Sequence, residues 1–588
     1  MKKLIIIFTI LLTNNIAALE LTLKVNYWLQ ELRETYTVHT DEYIYLDNDN
    51  DTILSDVLES SPSFNAVRSG PAGQQTSLFT RGTNSNHTLV TINGSPITDH
   101  STTNGLTDLG LINTNFANSL HLVKGPMSTL YGANAVGGVI DIQTEKKFIN
   151  TLTASYGSNS KTKFGFDSNF GDQTEFNIGI YTENSEGISI YPEGDESDGY
   201  DLLSYNFGYR GSLNETDYEL IFLNTEQDTD LDGSGADDLD YTANTKFNFF
   251  QLKSNTDSKY GKINLIVDHN RWDRDYLNGT EVDTYDSSTS HIKIVDTFKN
   301  HKFSNSIALD YYNYTAKFNN TGSYNSSVDK KAFQSGLFNN TDFKISKNIL
   351  LSGGFRIDEN SRHGSQDTYR IGTSYNIENI NLYSSAATAY KNPTMYEMYG
   401  ADSYGYTGNS DLKPETSINR ELGIKYSLDN GIITATVYET DIKDMISYGN
   451  STYSNDSDGI SKMQGVDIGL NYEIGNFYFF NSYAHVHAVN SSDTWLKRRP
   501  HDLLYSGFKY SINNLWIKPS INYYGVHSDT HSSTYATIQV KERTLADLSI
   551  GYKGLSIDIK NVFDDKYSRP HGYNQGGLEA EIKYEMFF

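Results

Sequence analysis

The chain has 588 residues, enough for several ordinary domains, yet it is rich in Tyr (44), Phe (28) and Gly (46), and its apolar residues mostly come singly, at every second position. Having no cysteine, it excludes a disulfide framework, a thiolate metal site and a thiol nucleophile. A formal net charge of −26 argues against a nucleic-acid partner and disfavours a polyanionic ligand, while acidic loops suit divalent cations.

Residues 1–18 read as a secretory signal: Lys2 and Lys3 at the charged end, an apolar run from Leu4 to Leu12, and a cleavage site at Ile16-Ala17-Ala18. That run is too short to span a bilayer as a helix, and no later stretch reaches the about 18 apolar residues that a spanning helix needs. Residues 19–33 read as a linker. Between Asp56 and Thr144 the chain is Gly-rich and poor in long strands. It precedes several hundred residues of strand-like alternation, so residues 34–146 are read as a plug that residues 147–588 enclose.

From about Lys146 the pattern repeats as some ten alternating residues followed by a tight turn or a longer polar loop. Tight turns are expected at Asp429-Asn430-Gly431, Gly475-Asn476, Asn513-Asn514 and Lys553-Gly554, with a weaker one at Lys347-Asn348. Short turns on one side and long loops rich in Asp, Ser, Asn, Gly and Tyr on the other are the asymmetry of an outer-membrane barrel. In the last strand Leu578, Ala580, Ile582, Tyr584, Met586 and Phe588 share one face, and Glu579, Glu581, Lys583 and Glu585 share the other. That division suits lipid outside and a wet lumen inside. About 440 residues at roughly 20 per strand give about 22 strands. The fold class expected is therefore an all-β membrane protein, a 22-stranded antiparallel transmembrane β-barrel with an N-terminal plug.

Five segments carry a family resemblance in the expected order: DVLESSPSF, SLFTRGTNSNHTLVTINGSPI, KGPMSTLYGANAVGGVIDIQT, YKNPTMYEMY with GNSDLKPETS, and NVFDDKYSRPHGYNQGG. Over essentially its whole length the chain resembles the TonB-dependent outer-membrane receptors. Within them it looks most similar to the vitamin B12 (cobalamin) transporters, through RGTNSNHTLVTINGSPI and the ending Tyr567, Gly572-Tyr573, Gly576-Gly577. The resemblance implies active import and no enzyme activity. Its implied partners are TonB of the inner-membrane energy-coupling complex, a corrinoid or siderophore ligand, outer-membrane lipid and lipopolysaccharide, and the barrel-assembly machinery. A ferric-siderophore receptor is the main alternative and a haem receptor ranks third. A passive porin or adhesion barrel is the different-class alternative, and neither needs this plug.

The resemblance also implies site residues. Leu21, Thr22, Leu23, Lys24, Val25 and Asn26 resemble the Ton box, which pairs as a strand with the periplasmic partner. Glu34 to His39 fits the same loose pattern but would consume the plug's first strand, expected over Thr35 to Tyr43. Ligand is expected at two outward plug loops, on Ser69, Gln74 and Gln75 and on His100 and Asn104, where amide side chains both donate and accept. Asp195 and Asp198, then Asp228, Asp230, Asp232 and Asp238, form acidic clusters on the first long loops. Asp-x-Asp-x-Asp-Gly resembles the opening of a calcium loop, although Leu239 at its twelfth position rules out an EF-hand. Ca2+ on the extracellular loops is accordingly expected, as in cobalamin transporters. Arg81 of the Arg-Gly pair and Lys124 stand at the family's plug-anchoring positions. There the family's usual Glu and Arg are His121 and Lys124, and Lys cannot reproduce a bidentate Arg fork.

Overall fold

In the computed structural model of the protein, residues 40–46, 53–144, 150–171, 174–233, 236–259, 261–321, 327–402, 405–456 and 459–588 are described. The signal, the Ton-box segment Leu21–Asn26 and its rival Glu34–His39 lie outside them.

Alternation sets the barrel. In the strand Phe303–Asn320 the side chains of Ile307, Leu309 and Tyr311 are exposed on the outer wall, while Ala308, Asp310 and Tyr312 are buried inside. The period of two gives each strand one face for lipid and one for the lumen. Twenty-two antiparallel strands close into a ring, as expected. Closure is made by the last strand, Glu579–Phe587, which pairs with the first, Thr151–Gly157, from Phe587↔Thr151 to Glu581↔Gly157. On that last strand Ile582 and Tyr584 face out, while Glu581 turns in to pair with Lys163 at 3.2 Å. Closing the ring leaves no unpaired sheet edge in the membrane.

The five tight turns read from the sequence all connect strands on the side of the barrel where its first strand begins and its last one ends. Lys553 and Gly554 both take positive φ, 49° and 81°, as a two-residue hairpin turn compatible with strand twist requires. The longer connections, among them residues 189–197, 231–240, 392–414, 525–542 and 561–578, gather at the other end.

The plug is a small mixed sheet inside the ring. Its strands are β1 (Asp41–Tyr45), β4 (Thr88–Ile92), β5 (Ser95–Pro96), β6 (Ser119–Lys124) and β7 (Gly138–Gln143), in the order β1-β6-β7-β4-β5, with β4 and β7 parallel. β2 (Phe64–Arg68) and β3 (Thr76–Thr80) form a separate hairpin. Among the described residues the first plug strand extends to Tyr45, two residues past the expected Tyr43, because Ile44 and Tyr45 continue the ladder to Leu120 and Ser119.

The plug core is continuous with one wall of the barrel. Leu58, Phe64, Ile92, Leu120 and Ile140 cluster with Ile221, Leu223, Phe247, Phe249 and Trp272 of the wall. The Trp272 indole stacks on Phe247 at 4.1 Å between centroids and donates its N–H to the carbonyl of Ile97 at 3.1 Å. A buried Trp with its N–H satisfied contributes its whole area to holding the plug.

Candidate functional site: cavity, anchor and acidic loops

The plug presents a cleft toward the long loops, of about 820 Å³ when the space open to solvent is included. Plug residues Asn86, His100, Asn104, Tyr131 and Asn134 form its floor. Tyr312, Tyr314 and Gln334 of the wall and Asn392 to Met395 of the 392–414 loop complete it. The His100 ring stacks on Tyr314 at 4.2 Å, and burial holds its pKa down to about 4, so the imidazole is neutral at pH 7.

The cleft is electrically quiet. Among its described lining residues Lys391 is the sole ammonium or guanidinium group. Its Nζ lies 3.5 Å from Glu397 Oε2 and 3.5 Å from Glu415 Oε1. Glu415 Oε2 in turn meets His87 Nε2 of the plug at 2.7 Å. The Asn84 N–H donates to His87 Nδ1 at 3.3 Å, so the ring proton sits on Nε2 and is given to Glu415. Glu397 also closes the capping box of the helix Met395–Tyr399 with Thr394, whose hydroxyl donates to the Thr103 carbonyl of the plug at 2.9 Å. Asn86 Oδ1, Asn392 Oδ1 and Thr289 Oγ1, all lining groups, are buried without a hydrogen-bond partner. Such orphans are costly unless a ligand or water satisfies them.

Of the expected ligand residues, His100 and Asn104 lie in this cleft. Ser69, Gln74 and Gln75 lie elsewhere, on a hairpin under the acidic loops. Gln74 Nε2 donates to the Asp230 carbonyl at 2.8 Å, and Gln227 Nε2 donates to the Gly73 carbonyl at 2.9 Å. Sequence reasoning missed the barrel half of the cleft and part of its plug floor. Tyr131, Asn134, Asn392 and Met395 stand inside motifs that had carried only the family likeness, and Tyr312 and Tyr314 alternate like many other Tyr.

The anchor residues divide. Arg81 forks between two carboxylates of the barrel wall, Glu421 at 3.1 Å and Asp467 at 2.8 Å, with its guanidinium 4.2 Å from the Tyr438 ring centre. All three charged groups are buried. Lys124 is instead paired within the plug, 3.0 Å from Glu42 of β1, and His121 stacks on Tyr43 at 4.3 Å. The positions where the family's usual Glu and Arg are replaced therefore hold β1.

The expected metal residues also divide. Glu196, Asp198 and Asp232 bring carboxylate oxygens within 4.8 Å of one another. Asp198 Oδ1 and Glu196 Oε2 are buried without a hydrogen-bond partner, and this all-oxygen donor set fits a hard cation such as Ca2+. Burial and the neighbouring acids push the carboxyls of Glu196 and Asp232 above their ordinary range. Asp230 accepts from the Gly199 N–H at 3.1 Å. Asp228 and Asp238 take Asn244 and Asn278 as donors, and Asp195 is exposed, with its N–H given to Asp237. Glu196 stands in the first acidic run, Glu193 to Asp198, but was not among the expected ligands, which were all Asp.

Residues 30–139 match the TonB-dependent receptor plug domain, and residues 144–562 match the TonB-dependent receptor-like β-barrel. The chain belongs to the TonB-dependent receptor family. Members are transport receptors of the outer membrane rather than enzymes. Among solved structures, this TonB-dependent receptor is similar to the siderophore receptor PirA from Acinetobacter baumannii, with 16% identity and a TM-score of 0.79 over 95% of this chain and 99% of that one. The copper transporter OprC gives 16% and 0.80 over 94% and 99%. The ferric-catecholate import receptor Fiu from E. coli K12 gives 15% and 0.76 over 94% and 98%. At such identities the likeness establishes the fold.

Proposed function

We propose that this TonB-dependent receptor imports cobalamin or a related corrinoid. The observation that carries the reading is the chemistry of the cleft: aromatic faces, side-chain amides, orphan acceptors and, among the described lining residues, no uncancelled cation. A corrinoid offers peripheral amide N–H donors to Asn86 and Asn392 and a broad ring system to His100 and Tyr314. A triply anionic ferric tricatecholate would need cations that this lining does not supply. We further propose that Ca2+ on Glu196, Asp198 and Asp232 ties the loop 189–197 to the loop 231–240 beside the entrance. Leu21–Asn26 is the segment proposed to engage TonB.

A ferric siderophore is the second reading, favoured by the siderophore receptors among the similar solved structures. The same cleft chemistry narrows it to an uncharged ferric chelate. Titrating the purified receptor with cyanocobalamin, with and without calcium, tests the proposal. Saturable binding that tightens with calcium is expected. No saturable binding, alongside tight binding of a ferric siderophore, would overturn the corrinoid reading.

A further inference from the structure

Thr40 is where the chain from the Ton-box side enters the described fold, and it is bonded to the barrel wall. Its N–H donates to Glu421 Oε1 at 3.2 Å. Its hydroxyl lies 3.0 Å from the Tyr383 hydroxyl, 3.2 Å from Thr436 Oγ1 and 3.4 Å from Glu421 Oε2. Glu421 is one of the two carboxylates that Arg81 grips. On the plug side, the Lys124 N–H donates to the Thr40 carbonyl at 3.0 Å, and the Lys124 ammonium is held by Glu42 at 3.0 Å. Glu42 also accepts from the Ser61 hydroxyl at 2.7 Å. Gly125, at φ 85°, lets the backbone pass close to the clamp: a Cβ there would lie 3.4 Å from Arg81 Nη1 and 3.8 Å from Glu421 Oε2. The start of β1, the segment Lys124–Gly125 and the Arg81 fork thus form one buried cluster.

Among the described residues β1 is also the edge strand of the plug sheet, five residues long and paired only to β6. β6, β7 and β4 each have a neighbour on both sides. Any pull applied upstream of residue 40 reaches the described fold at Thr40 and the Asp41↔Val123 pair before it reaches the interior strands.

We propose that Thr40 and the Glu42–Lys124 pair are positioning residues for transport, a latch through which force on the N-terminal segment loosens the Arg81–Glu421–Asp467 clamp. When Thr40 leaves, Glu421 loses two donors and water reaches the ion pairs. Coulomb attraction scales inversely with the effective dielectric constant, so passing from about 20 toward about 80 weakens each pair by roughly fourfold. Lys124 loses its carboxylate in the same step. The clamp softens while the apolar contacts around Trp272 are still intact, so the side of the plug facing Glu421 and Asp467 yields first.

The natural absence of cysteine makes a clean test possible. Asp41→Cys with Val123→Cys places two thiols on directly paired residues, near enough for a disulfide. The full-length receptor in lipid bilayers is pulled from its N-terminus in force spectroscopy. Oxidation should abolish the first rupture, and reductant should restore it. Thr40→Val with Glu42→Gln should lower the force of that first rupture and leave later events unchanged. An oxidised staple that ruptures like the reduced protein would overturn the proposal, as would an unchanged first rupture in the Thr40/Glu42 variant. The reduced double-cysteine protein controls for misfolding. No cargo enters this measurement, so its outcome is independent of the corrinoid assignment.

Discussion

Replacing Arg81 by Ala removes the guanidinium that Glu421 and Asp467 share. The guanidinium sits 3.1 Å and 2.8 Å from the two carboxylates, and all three side chains are almost wholly out of water. Breaking a buried ion pair by deleting one partner costs about 3–5 kcal/mol, because the remaining charge is left uncompensated. Two carboxylates are stranded here, so the upper half of that range is expected. At about 1.4 kcal/mol per power of ten, the opening equilibrium of the plug rises by roughly three powers of ten. Hydrogen exchange on the amides of β3 and β4 should report this as a matching loss of protection, with the barrel amides unchanged. Arg81→Lys keeps the charge but loses the fork, and should fall between Ala and the native protein. Adding Glu421→Gln and Asp467→Asn to Arg81→Met should recover most of the loss. A change below about 1 kcal/mol for Arg81→Ala, the worth of an exposed pair, would refute the anchoring argument.

Three further outcomes are expected. Deleting Leu21 to Asn26 should abolish uptake and leave cargo binding intact; unchanged uptake would remove the Ton-box assignment. Tyr314→Ala removes the partner of His100, and an aromatic pair of about 0.5–1.5 kcal/mol predicts roughly 2- to 12-fold weaker cyanocobalamin binding by titration calorimetry. Burial and neighbouring acids raise the carboxyls of Glu196 and Asp232, so these groups take up protons at a higher pH than ordinary carboxylates. Protons compete with the cation for the charged form, so calcium affinity should fall on acidification at a higher pH than it does for ordinary carboxylates, whereas an affinity that holds until ordinary carboxylates titrate would contradict the site; Asp232→Asn should abolish most of the calcium binding at neutral pH.

The barrel was legible because one physical requirement, lipid outside and polar groups inside, is written into every strand as a period of two. Ile307, Leu309 and Tyr311 against Asp310 and Tyr312 are sufficient to read it. The turn at Lys553-Gly554 likewise follows from a local backbone need. What alternation does not carry is the angle around the ring or the depth along it. Tyr312 and Tyr314 therefore look like any other inward residues, although they line the cleft. The same limit hid the partner of Lys124, because a pairing with Glu42 depends on β1 adding to β6 across a long stretch of chain. The acidic cluster was half visible: Glu196 and Asp198 stand two apart in one acidic run, and Asp232 joins them only because two loops meet.

Accumulation of radiolabelled cyanocobalamin by intact cells carrying this receptor, with and without functional TonB, is the most direct test of the import assignment. Saturable accumulation that requires TonB and is not displaced by a ferric tricatecholate is expected. Equal accumulation without TonB, or displacement by the tricatecholate, would contradict the account.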